Sequence, residues 1–211
     1  MTVGERSEGG RVVGAGASAL WRAMTAADLD RLLAIADIVH PAYPEDRSVF
    51  EERLALYPAG CRVAECRGEA IGYGVMHPGK LGVPPPLDTP LGELPADADC
   101  LYLHDIALLP EARGTGLGAA VLAFAHGLAA RAGWRWLALT STPGARSYWD
   151  RVGFAPYGDG GPALAAKLES YGGGMSYMTA PVKAPGLTDQ AASAAISGSV
   201  TTVSKAGLAN R

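Results

Sequence analysis

Cysteine is scarce in this chain, and what there is does not pair. Cys61, Cys66 and Cys100 are odd in number and form neither a C-x-x-C pair nor a cluster with histidine at zinc spacing. A disulfide framework and a structural metal are thereby set aside, and a reducing compartment is expected. Charge is thin as well: 18 Lys and Arg against 21 Asp and Glu leave a net charge of -3, with no basic block, which argues against a nucleic-acid partner. No stretch reaches the roughly 18 to 20 apolar residues of a membrane span. The charged, glycine-rich lead-in from Met1 to Arg11 has no apolar centre. A soluble, cytoplasmic protein without a membrane partner, working as a monomer or homodimer, is the expectation.

Glycine and proline are abundant instead. With 28 Gly and 15 Pro in 211 residues they make up roughly a fifth of the chain, against roughly 12% in average usage. The pattern divides into a flexible lead-in (1–18), one domain (19–183) and a low-complexity tail (184–211) of Ala, Ser, Thr and Gly. Within the domain, Thr25 to Asp28 resembles a capping box, and Leu29, Leu32, Leu33, Ala36 and Val39 follow at helical spacing. Pro41 and Pro44 break the chain before a second helix near Ser48. Cys61–Cys66 and Ala70–Met76, joined by Arg67-Gly68-Glu69, predict a hairpin. Residues 78–99, with six prolines, predict a long irregular surface loop. Leu101–Leu108 is an apolar run of strand length, followed by a glycine-rich turn, a helix to Gly133, a strand at Trp134–Thr140 and a short helix at Pro143–Val152. Met175–Val182 predicts a last strand, and 157–174 is read as glycine-rich and irregular. Strand, helix, strand in that order implies a parallel pair.

The stretch most informative about chemistry is Arg113-Gly114-Thr115-Gly116-Leu117-Gly118. Three alternating glycines at the mouth of a helix, just after a buried strand, let successive N–H groups point into one concavity reinforced by the helix dipole, a geometry that binds phosphate. Arg113 adds a charged donor. The spacing is neither G-x-G-x-x-G with a downstream acidic residue nor a P-loop with its lysine, so a dinucleotide fold and a nucleotide P-loop both fit poorly.

Arg113, Gly116 and Gly118 meet the pattern Arg/Gln-x-x-Gly-x-Gly/Ala, and downstream Ala145-x-x-Tyr148-Trp149-x-x-x-Gly153-Phe154 looks like A-x-x-F-Y-x-x-x-G-F. On these motifs, over about residues 20–182, the chain resembles the GCN5-related N-acetyltransferase (GNAT) family. The resemblance implies an α/β fold with a mixed central sheet flanked by helices, whose parallel fourth and fifth strands splay to admit the pantetheine arm of acetyl-CoA. Backbone groups of Ile106, Ala107 and Leu108 would meet that arm, and residues 113–118 would hold its pyrophosphate.

Acylating an amine near neutrality calls for a base. Regular alternation places Tyr102, His104, Ile106 and Leu108 on one strand face and Leu103, Asp105 and Ala107 on the other. The resemblance places a base on the even face, so His104 is the first candidate, against the competing reading of a hydrogen-bonded core histidine. A bulge would bring Asp105 to the same side. Trp149 stands where the family often has a tyrosine that protonates the leaving thiolate; Tyr148, one residue earlier, is left with an acid role and a packing role both open. Tyr43, Glu45 and Tyr102 are candidate acceptor contacts, and the segments 40–46 and 78–99 border the acceptor. The expected activity is acetyl transfer to an amine of a small molecule or peptide; the alternative is an acyl-CoA-binding sensor without catalysis.

Overall fold

The computed structural model describes residues 19–183, so the expectations for 1–18 and 184–211 lie outside the described residues. Seven strands form one sheet in the order β1-β2-β3-β4-β5-β7-β6. They are β1 (Leu20–Ala23), β2 (Cys61–Cys66), β3 (Glu69–Gly79), β4 (Cys100–Leu108), β5 (Trp136–Ser141), β6 (Ala155–Pro156) and β7 (Ser176–Pro181). The helices are α1 (Leu29–Val39), α2 (Arg47–Leu56), α3 (Leu117–Arg131), α4 (Arg146–Arg151) and α5 (Gly161–Glu169). All neighbours are antiparallel except β4 and β5, which are joined through α3 and run parallel, as a strand-helix-strand connection requires.

Apolar spacing decides which face each helix covers. Leu29, Leu32 and Ile35 of α1 and Phe50 of α2 pack with Val63, Tyr73 and Val75 on one face of the sheet. Val121, Leu122, Ala125 and Leu128 of α3 pack with Leu101, Leu137, Leu139 and Met178 on the other. Each such buried side chain stabilises the fold by about 1.5–3 kcal/mol. At the head of α1, the backbone N–H and the hydroxyl of Thr25 both donate to the Asp28 carboxylate, at 2.8 and 2.9 Å. The edge strand β1 is tied to the opposite end of the domain core by Trp21, whose indole N–H donates to the Leu117 carbonyl at 2.9 Å.

Two segments differ from their sequence expectation. The stretch 157–174 contains α5: Pro162 occupies the first turn, and Ala163 to Glu169 are good helix formers whose Leu164 is buried. Flanking glycines mask this run, and one of them is required sterically, because a Cβ on Gly160 would lie 2.1 Å from the Leu164 side chain. The loop expected at 78–99 is shorter, since β3 continues through Pro78 and Gly79 opposite Leu101 and Cys100.

What remains of that loop is anchored on both sides. Arg53, with a fully buried side chain, donates to Glu52 and, at 3.0 Å, to the Thr89 carbonyl; Glu52 accepts the N–H groups of Leu91 and Gly92 at 2.6 and 2.8 Å. The Tyr171 hydroxyl donates to the Pro85 carbonyl at 2.5 Å, and Asp46 N–H donates to Asp88 at 2.5 Å. Removing one partner of a buried ion pair leaves an uncompensated charge. Glu52→Ala is therefore expected to lower stability by about 3 kcal/mol, read as a lower urea midpoint, with Glu52→Gln intermediate because it retains an acceptor for the loop amides.

Candidate functional site

The pairing of β4 with β5 stops early. Cys100, Leu101 and Tyr102 face Trp136, Leu137 and Ala138, and beyond them the two strands have no register in common, although β4 runs on to Leu108 and β5 to Ser141. On its other side β4 pairs with β3 throughout, with one irregularity: Val75 faces Asp105 and Met76 faces Leu103, so His104 is an extra residue without a cross-strand partner. This is a β-bulge. It corrects the expected alternation. Tyr102, His104 and Asp105 all line one cavity, whereas Ile106 and Leu108 turn their side chains to the core under α3 and Ala107 turns its methyl to the core under α1.

The bulge also sets the backbone beyond it. Leu109 N–H donates to the Ile71 carbonyl on β3 at 3.0 Å. Hydrogen-bonding direction alternates along a strand. The amides of Ile106 and Leu108 therefore face the open edge where β5 has diverged, and the Leu108 carbonyl accepts the Arg113 Nε at 3.2 Å. Ala107, grouped with them from sequence, directs its peptide groups to β3 and is not available on that edge.

At the end of this edge the turn 113–118 leads into α3. Gly114 and Gly116 have φ of 75° and 90°, left-handed values that exclude β-branched residues, and nothing lies within 4 Å of where their side chains would be. The opening N–H groups of α3 have no intrahelical acceptor. Leu117 is buried and can contribute only backbone, while the Thr115 hydroxyl donates to the Ala112 carbonyl at 2.7 Å. A Cβ on Gly118 would lie 2.8 Å from the Tyr148 hydroxyl, so the phenol rests on the third glycine of the turn. Trp149 packs inward, edge-on to Phe154 at 5.2 Å between ring centres and against the core under α3. Burial pushes the Tyr148 phenol upward from 10, against a smaller pull from Arg151, and so keeps it protonated near neutrality.

The cavity itself, about 130 Å³, lies between the α1–α2 segment, the anchored loop and the splayed strands; Tyr43, Glu45 and Tyr102 line it together with His40, His104 and Asp105. His104 Nε2 and Glu45 Oε2 are 2.9 Å apart, with only 6% and 9% of their side chains exposed. Burial alone would raise the Glu45 carboxyl, but its bond to His104 and that ring's charge outweigh burial and bring it below 4.5. An ionised carboxylate can only accept, so Nε2 is the nitrogen that donates to Glu45. Beside this pair stands a second. His40 Nε2 is 3.0 Å from Asp105 Oδ1, at ion-pair distance though not aligned as a hydrogen bond, and Asp105 Oδ2 accepts the Tyr73 hydroxyl at 2.5 Å. Burial pushes the His40 imidazole down and the Asp105 carboxyl up; their mutual contact reverses both, raising His40 above 6.5 and holding Asp105 below 3.8. Tyr102 donates to the Thr140 hydroxyl at 2.9 Å and forms a wall of the cavity.

Sequence reasoning placed His40 only within the bordering segment 40–46, missed Tyr171 and Met175 as cavity residues, and left Asp105 to a bulge it could not locate. His77, whose ring centre is 5.8 Å from that of His104, is a packing residue that burial and the nearby His104 hold neutral, at about 3. Among the described residues no group of three or more His, Cys, Asp and Glu is placed to hold a metal ion, and no helix is long and apolar enough to cross a membrane.

Residues 21–154 match the model of the Acetyltransferase (GNAT) family, and the chain belongs to that family. No curated protein matches the chain. Similar solved structures include N-acetylglutamate synthase from Neisseria gonorrhoeae complexed with coenzyme A and N-acetyl-glutamate, with TM-score 0.59 and 17% identity over 80% of this chain and 36% of that one. Naa20 from Chaetomium thermophilum in complex with a bisubstrate analogue has TM-score 0.56 and 20% identity over 78% and 87%. The GNAT-like decarboxylase GphF in complex with isobutyryl-CoA has TM-score 0.62 and 17% identity over 77% and 99%. At such identities the likeness is one of fold.

The His40–Asp105 pair can be tested directly. Raised, His40 contributes stability in full below its unfolded value near 6.5, and that contribution is lost as pH rises through the folded value. Lowered, Asp105 contributes above 3.8, and that contribution is lost as pH falls through its folded value. In an NMR titration the His40 midpoint is expected above 6.5 in the wild type and below 6.5 in Asp105→Asn, where burial and Arg113 remain to push it down.

Proposed function

We propose that the protein is an acetyl-CoA-dependent N-acetyltransferase that moves an acetyl group directly to a primary amine in a ternary complex. The observation that carries this reading is the placement on one strand of an open amide edge, leading to the glycine turn, and of the His104–Glu45 pair, facing the cavity. The Ile106 and Leu108 amides would hold the pantetheine arm and the thioester oxygen, and a backbone N–H aimed at that oxygen stabilises the developing oxyanion. Arg113 and the N–H groups of 114–118 would take the pyrophosphate.

As the amine nitrogen bonds the thioester carbon, His104 Nδ1 takes the proton that nitrogen gives up; as the carbon–sulfur bond breaks, Tyr148 returns a proton to sulfur. Glu45 orients the imidazole and adds negative charge beside an incoming ammonium, while Tyr43 and Tyr102 wall the acceptor. Direct transfer is supported by the cysteines: Cys61 and Cys100 are buried, and burial pushes both thiols up to about 12, which makes them poor nucleophiles, while Cys66 does not line the cavity.

Thiol release from acetyl-CoA with an amine panel tests the proposal. Intersecting rather than parallel initial-rate lines are expected, and parallel lines would indicate a covalent acyl-enzyme. His104→Gln is expected to lower kcat by roughly 10²–10⁴, and Tyr148→Phe to lower kcat while leaving the KM for acetyl-CoA nearly unchanged. Gly116→Val should weaken coenzyme A binding at least tenfold in calorimetry, since a β-branched residue at φ of 90° costs about 1–3 kcal/mol. Tight coenzyme A binding without thiol release from any amine would favour a binding module, and carbon dioxide release from a malonyl thioester without an acceptor would favour a decarboxylase.

A further inference from the structure

Two kinds of lining meet in the cavity. Glu45 and Asp105 border it, each with a histidine within 3.0 Å, and Pro85, Pro86, Leu87 and Met175 add apolar surface. No lysine or arginine lines it. The cations that come near are already engaged. His40 turns its Nε2, which is shielded from solvent, to Asp105. Arg113 lies at the cofactor turn against the Leu108 carbonyl, and Arg53 is buried against Glu52 and Thr89.

We propose that the acceptor is a compact primary amine with an apolar body and no carboxylate group. The proposal rests on the acetyl-transfer reading and narrows it. A carboxylate oxygen has two lone pairs, and each carboxylate of Glu45 and Asp105 has accepting capacity left after its structural partners are counted. An ammonium entering beside His104 therefore finds acceptors for its N–H groups and an attractive field. The α-carboxylate of an amino acid would sit one bond from the same carbon, within the same small space, facing two like charges and no guanidinium. Losing its hydration there without a partner is costly. The apolar wall is not free to swing aside and admit water, because Tyr171 holds Pro85 from one side while Glu45 and Asp46 meet Asp88 from the other. That apolar lining offers contact to an aliphatic or aromatic body and nothing for a second charge.

Matched acceptors separate charge from size. Isopentylamine, leucine and leucinol share one body, as do phenethylamine, phenylalanine and phenylalaninol; each amino alcohol fills the space of the carboxylate without its charge. With acetyl-CoA and wild-type protein, kcat/KM by thiol release is expected at least a hundredfold higher for the amine than for the amino acid, and within tenfold for the amino alcohol. Leu87→Arg, at an exposed loop position on the cavity wall, is expected to narrow the gap between amine and amino acid at least tenfold. Equal or faster turnover of the amino acids overturns the proposal and leaves acetyl transfer standing. An equal loss for acid and alcohol assigns the discrimination to size and also overturns it, as does a gap unchanged by Leu87→Arg. Thiol release from no acceptor overturns both this proposal and the transfer reading.

Discussion

A single extra residue on β4 organises the site. Because His104 has no partner on β3, the strand changes phase there: upstream of it the even side chains face the cavity, and downstream they face α3. That phase change lets Tyr102, His104 and Asp105 all border one cavity, which an unbroken strand forbids. It also decides which amides beyond Asp105 look toward β5. The splay of β4 from β5 then exposes those amides instead of spending them on a ladder. Side-chain chemistry and backbone chemistry thus come from the same irregularity, at opposite ends of a few residues.

Electrostatics in the cavity follow from pairing. A lone buried carboxylate would be pushed up and a lone buried imidazole down; contact with their partners reverses this for Glu45, Asp105 and His40. Glu45 and Asp105 belong to segments 60 residues apart in sequence, so the arrangement exists only once the α1–α2 segment has settled over β4. Loop anchoring is part of the same economy, since the Glu45 carboxylate that meets His104 also accepts the Asp88 N–H at 3.2 Å.

The core of the fold was legible in the sequence because its signals are local. Helical spacing at Leu29, Leu32, Leu33, Ala36 and Val39, turn chemistry at Arg67-Gly68, and the glycine turn before Leu117 each specify a conformation within a few residues. The strand at Leu20–Ala23 went unread because four residues at a sheet edge carry no period, and α5 because glycines on both sides outweigh its own helix formers. The site was legible in its members but not in its pairing. His104 and Glu45 could be named separately, yet nothing in either neighbourhood says that they meet, and the location of the bulge depends on the match between β3 and β4. Tyr148 shows the same limit: its position in a motif left an acid and a packing role both open, and nothing local says that its hydroxyl rests on Gly118 while Trp149 packs against the core.

The anchored loop between β3 and β4 has an evolutionary side. It meets the rest of the molecule through a few fixed points, chiefly Arg53 and Glu52 at one end, Asp88 in the middle and Tyr171 against Pro85, and most of those contacts are to loop backbone rather than to loop side chains. Backbone groups are common to all residues. The side chains between the attachment points can therefore change without releasing the cavity wall, which leaves the shape of the cavity and the chemistry of its lining separately adjustable.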